Sequence, residues 1–122
     1  MSSATDKEPA MQQGCYLKFY VQEHRRHHGI LAYEWILEEA KQLGIHGGSA
    51  FRAIAGYGRH GRMHEEHFFE LSGNLSVEVG FVVSEEEARR LLDRLAGERL
   101  ELFYIKVPLE MGVVGGGAPA PP

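Results

Sequence analysis

The sequence has very little cysteine and no long apolar run, and both features exclude classes of protein. Its 122 residues include one cysteine, Cys15, so the chain can form neither an internal disulfide nor a zinc site built from several thiolates. Cys15 fits a small buried residue of a strand. No apolar segment approaches the roughly 20 residues that a membrane-spanning helix needs. The N-terminal stretch MSSATDKEPAMQQG lacks the apolar core of a signal peptide, and we therefore expect a cytoplasmic protein.

An excess of positive charge is also missing. The formal net charge is −4, whereas a general nucleic-acid binder normally has a basic balance. A basic cluster nevertheless stands out in GYGRHGRMHEEH, residues 56–67. A local cluster of this kind inside an acidic chain suggests a small anion as ligand, and no nucleic-acid partner is predicted.

The composition predicts one folded domain between two flexible ends. A hydrophobic share of 43% and a charged share of 25% are typical of a globular protein, and the length suffices for one compact domain. Residues 1–13 are small and polar, and we expect them to be disordered. Residues 112–122, rich in glycine, alanine and proline, are expected to form a flexible tail. The domain is therefore predicted to span residues 14–111.

Apolar spacing within this domain predicts four strands and two helices. Period-two alternation marks CYLKFYVQE, AFRAIAGYG, a strand through residues 77–83, and LELFYIKV, which we expect Pro108 to end. Helical spacing marks ILAYEWILEEAKQLG, with Gly44 near its C-terminus, and a helix that starts with a Ser84–Glu87 capping box and ends at Gly97. The resulting order, β-α-β-β-α-β, is that of an α+β ferredoxin-like fold with a long loop after the second strand.

Two helices can cover only one face of such a sheet. The other face would carry Tyr16, Tyr20, Ile54 and Val82 or their neighbours, and this surface is too apolar to remain in contact with water. We therefore expect an oligomer that buries it.

The connection between the second and third strands, about residues 58–75, is much longer than an ordinary hairpin loop and is therefore the first place to look for a function. A metal site and a phosphate site are both compatible with it, whereas a catalytic site is not favoured. His60, His64 and His67 could ligate zinc or copper, although HEEH is not the HExxH pattern of metalloproteases. Gly56, Gly58 and Gly61 could bring backbone N–H groups around a phosphate, with Arg59 and Arg62 supplying charge. No serine or cysteine lies in a recognisable nucleophile motif, and no histidine–glutamate pair is singled out as acid and base, so an enzyme is not predicted.

A resemblance to a known family favours the phosphate interpretation. Residues of about 17–107, including the turn after the first strand, the stretch RAIAGYG and the loop through His64, resemble a PII-like family of small signalling proteins, a branch of unknown function within the PII superfamily. PII proteins have Gly-Phe-Gly-Arg-Gln at the base of their long loop, where this chain has Gly56-Tyr57-Gly58-Arg59-His60. The resemblance implies a homotrimer whose sheets face inward.

The same resemblance implies a ligand site in the cleft between subunits. Gly58 and Arg59 match the glycine and arginine that contact nucleotide phosphates in PII proteins, and His60 would lie beside them. PII proteins hold the phosphates from the other side with a glycine- and lysine-rich loop before the last strand. This chain has LAGERLELF there, with Gly97 and Arg99 as substitutes, while Lys106 is a weaker candidate. The implied ligand-binding set is Gly56, Gly58, Arg59, His60, Arg62 and Arg99.

The function implied is regulation without catalysis. An adenine nucleotide would bind between subunits and order part of the loop of residues 59–70, which would then contact a membrane transporter or an enzyme. Two alternatives remain. The first is a metal-binding trimer resembling the CutA proteins, with His60, His64 and His67 as ligands. The second is an adaptor whose loop binds its partner without any small ligand.

Overall fold

The computed structural model describes residues 11–57 and 75–116, and within them a four-stranded antiparallel sheet is covered on one face by two helices. The strands are β1 (Met11–Gln22), β2 (Arg26–His27), β3 (Ile30–Leu31), β4 (Ser49–Arg52), β5 (Ser76–Val83) and β6 (Phe103–Gly112), and the helices are α1 (Ala32–Gln42) and α2 (Glu85–Ala96). The sheet order is β4-β5-β1-β6, while β2 and β3 form a separate hairpin. The predicted β-α-β-β-α-β order is thus confirmed.

The core lies between the helices and the two central strands. From Cys15 onward every second residue of β1 faces it, as does every second residue of β5. Apart from Cys15 these positions carry branched or aromatic side chains, which form the interior with Ile36 and Leu91 of the helices. The rings of Phe19 and Phe81 meet edge to face at 6.3 Å between centroids. Cys15 is buried in this core, as its position in the strand predicts, and burial raises the pKa of its thiol.

The local signals at the helix ends act as predicted. Ser84 Oγ accepts a hydrogen bond from the Glu87 N–H while the Glu87 carboxylate accepts one from the Ser84 N–H, so the capping box is formed. At the end of α1, Gly44 has a φ of +85° and its N–H donates to the Lys41 carbonyl. The Ile45 N–H donates to the Ala40 carbonyl, which completes a Schellman motif with Gly44 in the left-handed position.

Three boundaries differ from the predictions. β1 begins at Met11 and β6 continues to Gly112, since residues 11–13 pair with residues 110–112. The strand β6 passes through Pro108, so the expectation that this proline ends it was wrong; β6 lies at the edge of the sheet, where a residue without an N–H is tolerated. The second predicted strand is shorter than its pattern, because regular pairing of β4 stops at Arg52.

The second face of the sheet carries no helix in the part of the chain that the structure describes. Cross-strand pairing places Tyr16 between Val82 and Val107, and Tyr20 between Glu78 and Phe103. Lys18 lies between the two tyrosines, 2.9 Å from the Glu78 carboxylate, with its ammonium group over both rings. This surface, the open face, is the one that the sequence predicts to be too apolar for water.

Neither helix of the described residues is long and apolar enough to cross a membrane.

Candidate functional site at the loop end of the sheet

The site is built at one end of the sheet, where β1 and β4 finish and β5 and β6 begin; we refer to it as the loop end. Because all neighbouring strands are antiparallel, the connections that leave this end meet there. They are the β2–β3 hairpin after β1, the residues that lead from β4 toward β5, and the link from α2 to β6. The described positions of the predicted site, Gly56 and Arg99, both lie in these connections.

Glu23 holds the base of the long connection together. It directly follows β1 and is only 8% exposed. Its N–H donates to the Leu75 carbonyl at 2.9 Å, and its Oε2 accepts from the Leu75 N–H at 3.4 Å. Arg52, the last residue of β4, donates to its Oε1 at 3.2 Å. The Glu23 carboxylate therefore links Arg52, at the end of β4 before the long connection, to Leu75, at the end of that connection.

The protonation of Glu23 reflects these partners. Burial acts to raise the pKa of the carboxyl, but the hydrogen bonds from Arg52 and from the Leu75 N–H outweigh it, so the pKa lies below its ordinary value. The carboxylate is thus charged at neutral pH and paired with the Arg52 guanidinium.

Beyond Arg52 the chain turns away from the sheet with its backbone exposed. The Ala53 N–H still donates to the Ser76 carbonyl at 2.9 Å, and after it Ile54 and Tyr57 lie on the surface. No atom of the described residues lies within 4 Å of a Cβ built on Gly56, so this part of the chain leaves its backbone open to an approaching molecule. Gly58, Arg59, His60 and Arg62, together with the metal candidates His64 and His67, lie outside the described residues and stay predictions.

Arg99 lies at the opposite edge of the same end. It is exposed in the link between α2 and β6, whereas Gly56 follows β4. The sheet order separates these two edge strands by three strand spacings, about 14 Å. The weaker candidate Lys106 does not lie at this end. It is on the helix-covered side of β6, where Glu85 at the start of α2 binds it at 2.8 Å.

A second group of side chains, which the sequence interpretation missed, lies beside Arg99. His27 and His28 each place Nε2 next to the same oxygen of Glu98, at 3.1 and 2.9 Å. The hydrogen bonds from His28 and His27 hold the pKa of Glu98 below its ordinary value. We refer to these three residues as the His–His–Glu cluster.

Local folding explains how this cluster forms. Arg26 pairs with Leu31 and His27 with Ile30, which leaves a two-residue turn at His28 and Gly29. Both turn residues have positive φ, 53° and 83°, as a type I′ turn requires. Glu98 follows the end of α2, where its N–H donates to the Leu95 carbonyl. In the sequence only HRRHHG marked a turn, and no local pattern connects two histidines to a carboxylate 70 residues away.

Comparison with known proteins shows which family this chain belongs to. The model of the DUF190 family, described as "Uncharacterized ACR", matches residues 14–99. The chain belongs to the DUF190 family. It is 34% identical over 90 residues to a UPF0166 protein of Aquifex aeolicus (strain VF5), an alignment that covers 74% of this chain and 86% of that protein. It is 38% identical over 79 residues to a UPF0166 protein of Methanocaldococcus jannaschii, covering 65% and 72% of the two chains.

Solved structures show which fold this DUF190 protein has. It is similar to CPII from Thiomonas intermedia K12, a structure bound to ADP and bicarbonate, with a TM-score of 0.60, 17% identity and coverage of 88% of this chain and 96% of that one. A second CPII structure, of a nitrogen regulatory PII-like protein bound to ADP, AMP and bicarbonate, matches with a TM-score of 0.57 and 14% identity over 85% and 98% of the chains. The DUF190 chain therefore has the PII-like fold that its sequence predicts.

Proposed function

We propose that this protein is a PII-like regulator that assembles as a homotrimer and binds an adenine nucleotide between subunits at the loop end. The observation that carries the proposal is that Gly56 and Tyr57, the first residues of GYGRHG, follow shortly after the clamped end of β4 in a PII-like sheet. Support comes from CPII, a protein of the same fold whose structures are described as bound to ADP or AMP. We propose no catalytic step.

Two features favour a site between subunits over one within a subunit. The first is the separation of about 14 Å between the edge strands β4, which Gly56 follows, and β6, which Arg99 precedes. In a ring of subunits the β4 edge of one protomer can face the β6 edge of the next, which brings these two residues to the same ligand.

The second feature is the open face. Its exposed aromatic and branched side chains include Phe51, Phe103 and Val107. Exposed apolar side chains that share one face often mark an interface, because covering them removes apolar area from water. The charges of Lys18 and Glu78 are already paired with each other, so burying them between subunits would leave neither charge without a partner.

At the nucleotide, each residue would have a separate task. The backbone N–H groups near Gly56 and Gly58 would approach the phosphates closely, which a side chain there would hinder. Arg59 and Arg62 would bind phosphate oxygens through their forked guanidinium groups, with His60 beside them. Arg99 would contribute its charge from the neighbouring subunit.

Regulation would act through the connection that Glu23 holds at its base. Fixing the backbone of one residue costs roughly 1–2 kcal/mol, so a few phosphate contacts can order only part of residues 59–70. We therefore propose that the nucleotide fixes the first residues after Gly56 and thereby changes how this segment contacts a membrane transporter or an enzyme.

Calorimetric titration of the full chain with ATP, ADP, AMP and cyclic AMP tests the site. We expect saturation near one nucleotide per subunit and at least about tenfold weaker binding in Arg59→Ala, because several charge-assisted contacts are lost. Arg89→Ala is the matched control, since Arg89 is an exposed arginine of α2 paired only with Glu86 and Asp93 among the described residues. Unchanged nucleotide binding in Arg59→Ala would refute the role proposed for Arg59. Absence of heat with all four nucleotides would refute the proposal that the ligand is an adenine nucleotide.

A further inference from the structure

We propose that the His–His–Glu cluster is a binding site for a divalent transition-metal ion of the zinc type, with His27, His28 and Glu98 as its three protein ligands. None of its three ligands is a residue proposed above to contact the nucleotide, although Glu98 directly precedes Arg99, and the proposal does not depend on a bound nucleotide. It also differs from the loop histidines His60, His64 and His67, which were the metal candidates in the sequence.

The donor set is the first argument. Two imidazole nitrogens and one carboxylate oxygen are the ligands found in many zinc sites that keep a fourth position open. The three ligand atoms already lie within 4.8 Å of one another. Hard cations such as Mg²⁺ prefer oxygen-only ligands, so a site with two imidazoles selects against them.

The distances are the second argument. In a tetrahedral zinc site with bonds of about 2.0–2.1 Å, neighbouring ligand atoms are about 3.3 Å apart. Nε2 of His27 and of His28 lie 3.1 and 2.9 Å from Glu98 Oε1. The ion could therefore replace the two hydrogen bonds if each Nε2 moves a few tenths of an ångström away from Glu98 Oε1, while the two Nε2 atoms, within 4.8 Å of each other, adjust to the same spacing. The β2–β3 hairpin and the end of α2 could keep their positions.

Packing restricts the His27 side chain, while the exposed His28 side chain leaves the site open to solvent. The His27 side chain is 13% exposed, and its ring meets Trp35 edge to face at 4.4 Å between centroids, which restricts its rotation. The His28 side chain is 62% exposed, so an ion and its fourth ligand can enter from that side. Carboxylate charge from Glu98 would offset part of the charge of the ion.

The same contacts could serve only to fasten the hairpin to the link before β6, and this is the competing explanation. Glu98→Gln separates the two, because glutamine keeps an oxygen that accepts hydrogen bonds but is a much poorer metal ligand than a carboxylate. His28→Ala removes a ligand whose side chain is mostly exposed and should leave the core intact.

The experiment is a Zn²⁺ titration of the metal-free full chain. Binding is monitored by calorimetry and by the fluorescence of Trp35, the single tryptophan of the sequence. We expect one zinc per subunit, a change in Trp35 emission because His27 touches its ring, and at least about tenfold weaker binding in Glu98→Gln and in His28→Ala. Mg²⁺ should give no signal. His46→Ala, which changes an exposed histidine at the far end of α1, should bind zinc as the unmodified chain does.

A variant with His60, His64 and His67 all changed to alanine distinguishes the two groups of histidines. The proposal predicts that this variant still binds one zinc with the change in Trp35 emission. Loss of zinc binding in this variant, or unchanged zinc affinity in Glu98→Gln, would overturn the proposal. Failure to bind zinc at all would overturn it too, and would leave the nucleotide titration unaffected.

Discussion

At the scale of single residues, two glycines show how differently the same residue type can be constrained. A Cβ on Gly48 would collide with the ring of Phe81, which is buried in the core, and would press against Leu37. A Cβ on Gly56 would meet no atom within 4 Å in residues 11–57 and 75–116. The first glycine is needed for packing of the core, while the second leaves the backbone open at the candidate site.

This contrast predicts unequal effects of one substitution. Gly48→Ala should lower the free energy of unfolding by about 1–3 kcal/mol, because Phe81 cannot move aside without disturbing the core. Gly56→Ala should leave that free energy within about 0.5 kcal/mol of the original. Urea denaturation of both variants at one protein concentration measures the difference. Equal stability of the two variants would show that the contact between Gly48 and Phe81 does not limit the packing.

At the scale of elements, the sequence allowed the main helices and strands to be predicted because each carries its own local signal. Alternation along β1 and β5, the Ser84–Glu87 box and the glycine after α1 act within a few residues. HRRHHG marks the turn of the β2–β3 hairpin, but its strands of two residues are too short to show alternation. The clamp at Glu23 has no local signal, since the partners of Glu23 lie 29 and 52 positions away. The proline in β6 misled the prediction because its tolerance depends on a place at the sheet edge, which only the fold determines.

The clamp at Glu23 predicts a dependence of stability on pH. Since the pKa of Glu23 is lowered by folding, its carboxylate stabilises the folded state above the ordinary carboxyl pKa, and this contribution is lost as the pH falls through the lowered pKa. Glu23→Gln should therefore be less stable than the unmodified chain at pH 7, and the difference should shrink below about pH 4.5. Thermal unfolding across this range measures it.

The control for this prediction is Glu86→Gln. It removes the same charge from an exposed position on α2, where the Arg89 pair is worth little. A stability difference between Glu23→Gln and the unmodified chain that does not change with pH would contradict the role given to the charge.

At the scale of the whole molecule, the proposed ligand site between subunits requires association through the open face. Val107 lies on that face opposite Tyr16 and is partly exposed in the isolated chain. Val107→Asp should convert the proposed trimer to monomers at micromolar concentration, because burying an unpaired carboxylate between subunits is unfavourable. Val114→Asp, at a fully exposed position after β6, is the matched control and should remain trimeric. Light scattering coupled to size-exclusion chromatography measures the mass of each.

We propose that the ligand site is complete only between subunits. Native mass spectrometry of the full chain with ADP tests it most directly, because each subunit count and each bound nucleotide appears as a separate mass. We expect the unmodified protein to form trimers that carry up to three ADP molecules. We expect Val107→Asp to form monomers that carry none. Monomers that bind ADP as tightly as the unmodified protein, or an unmodified protein that does not form trimers, would contradict it.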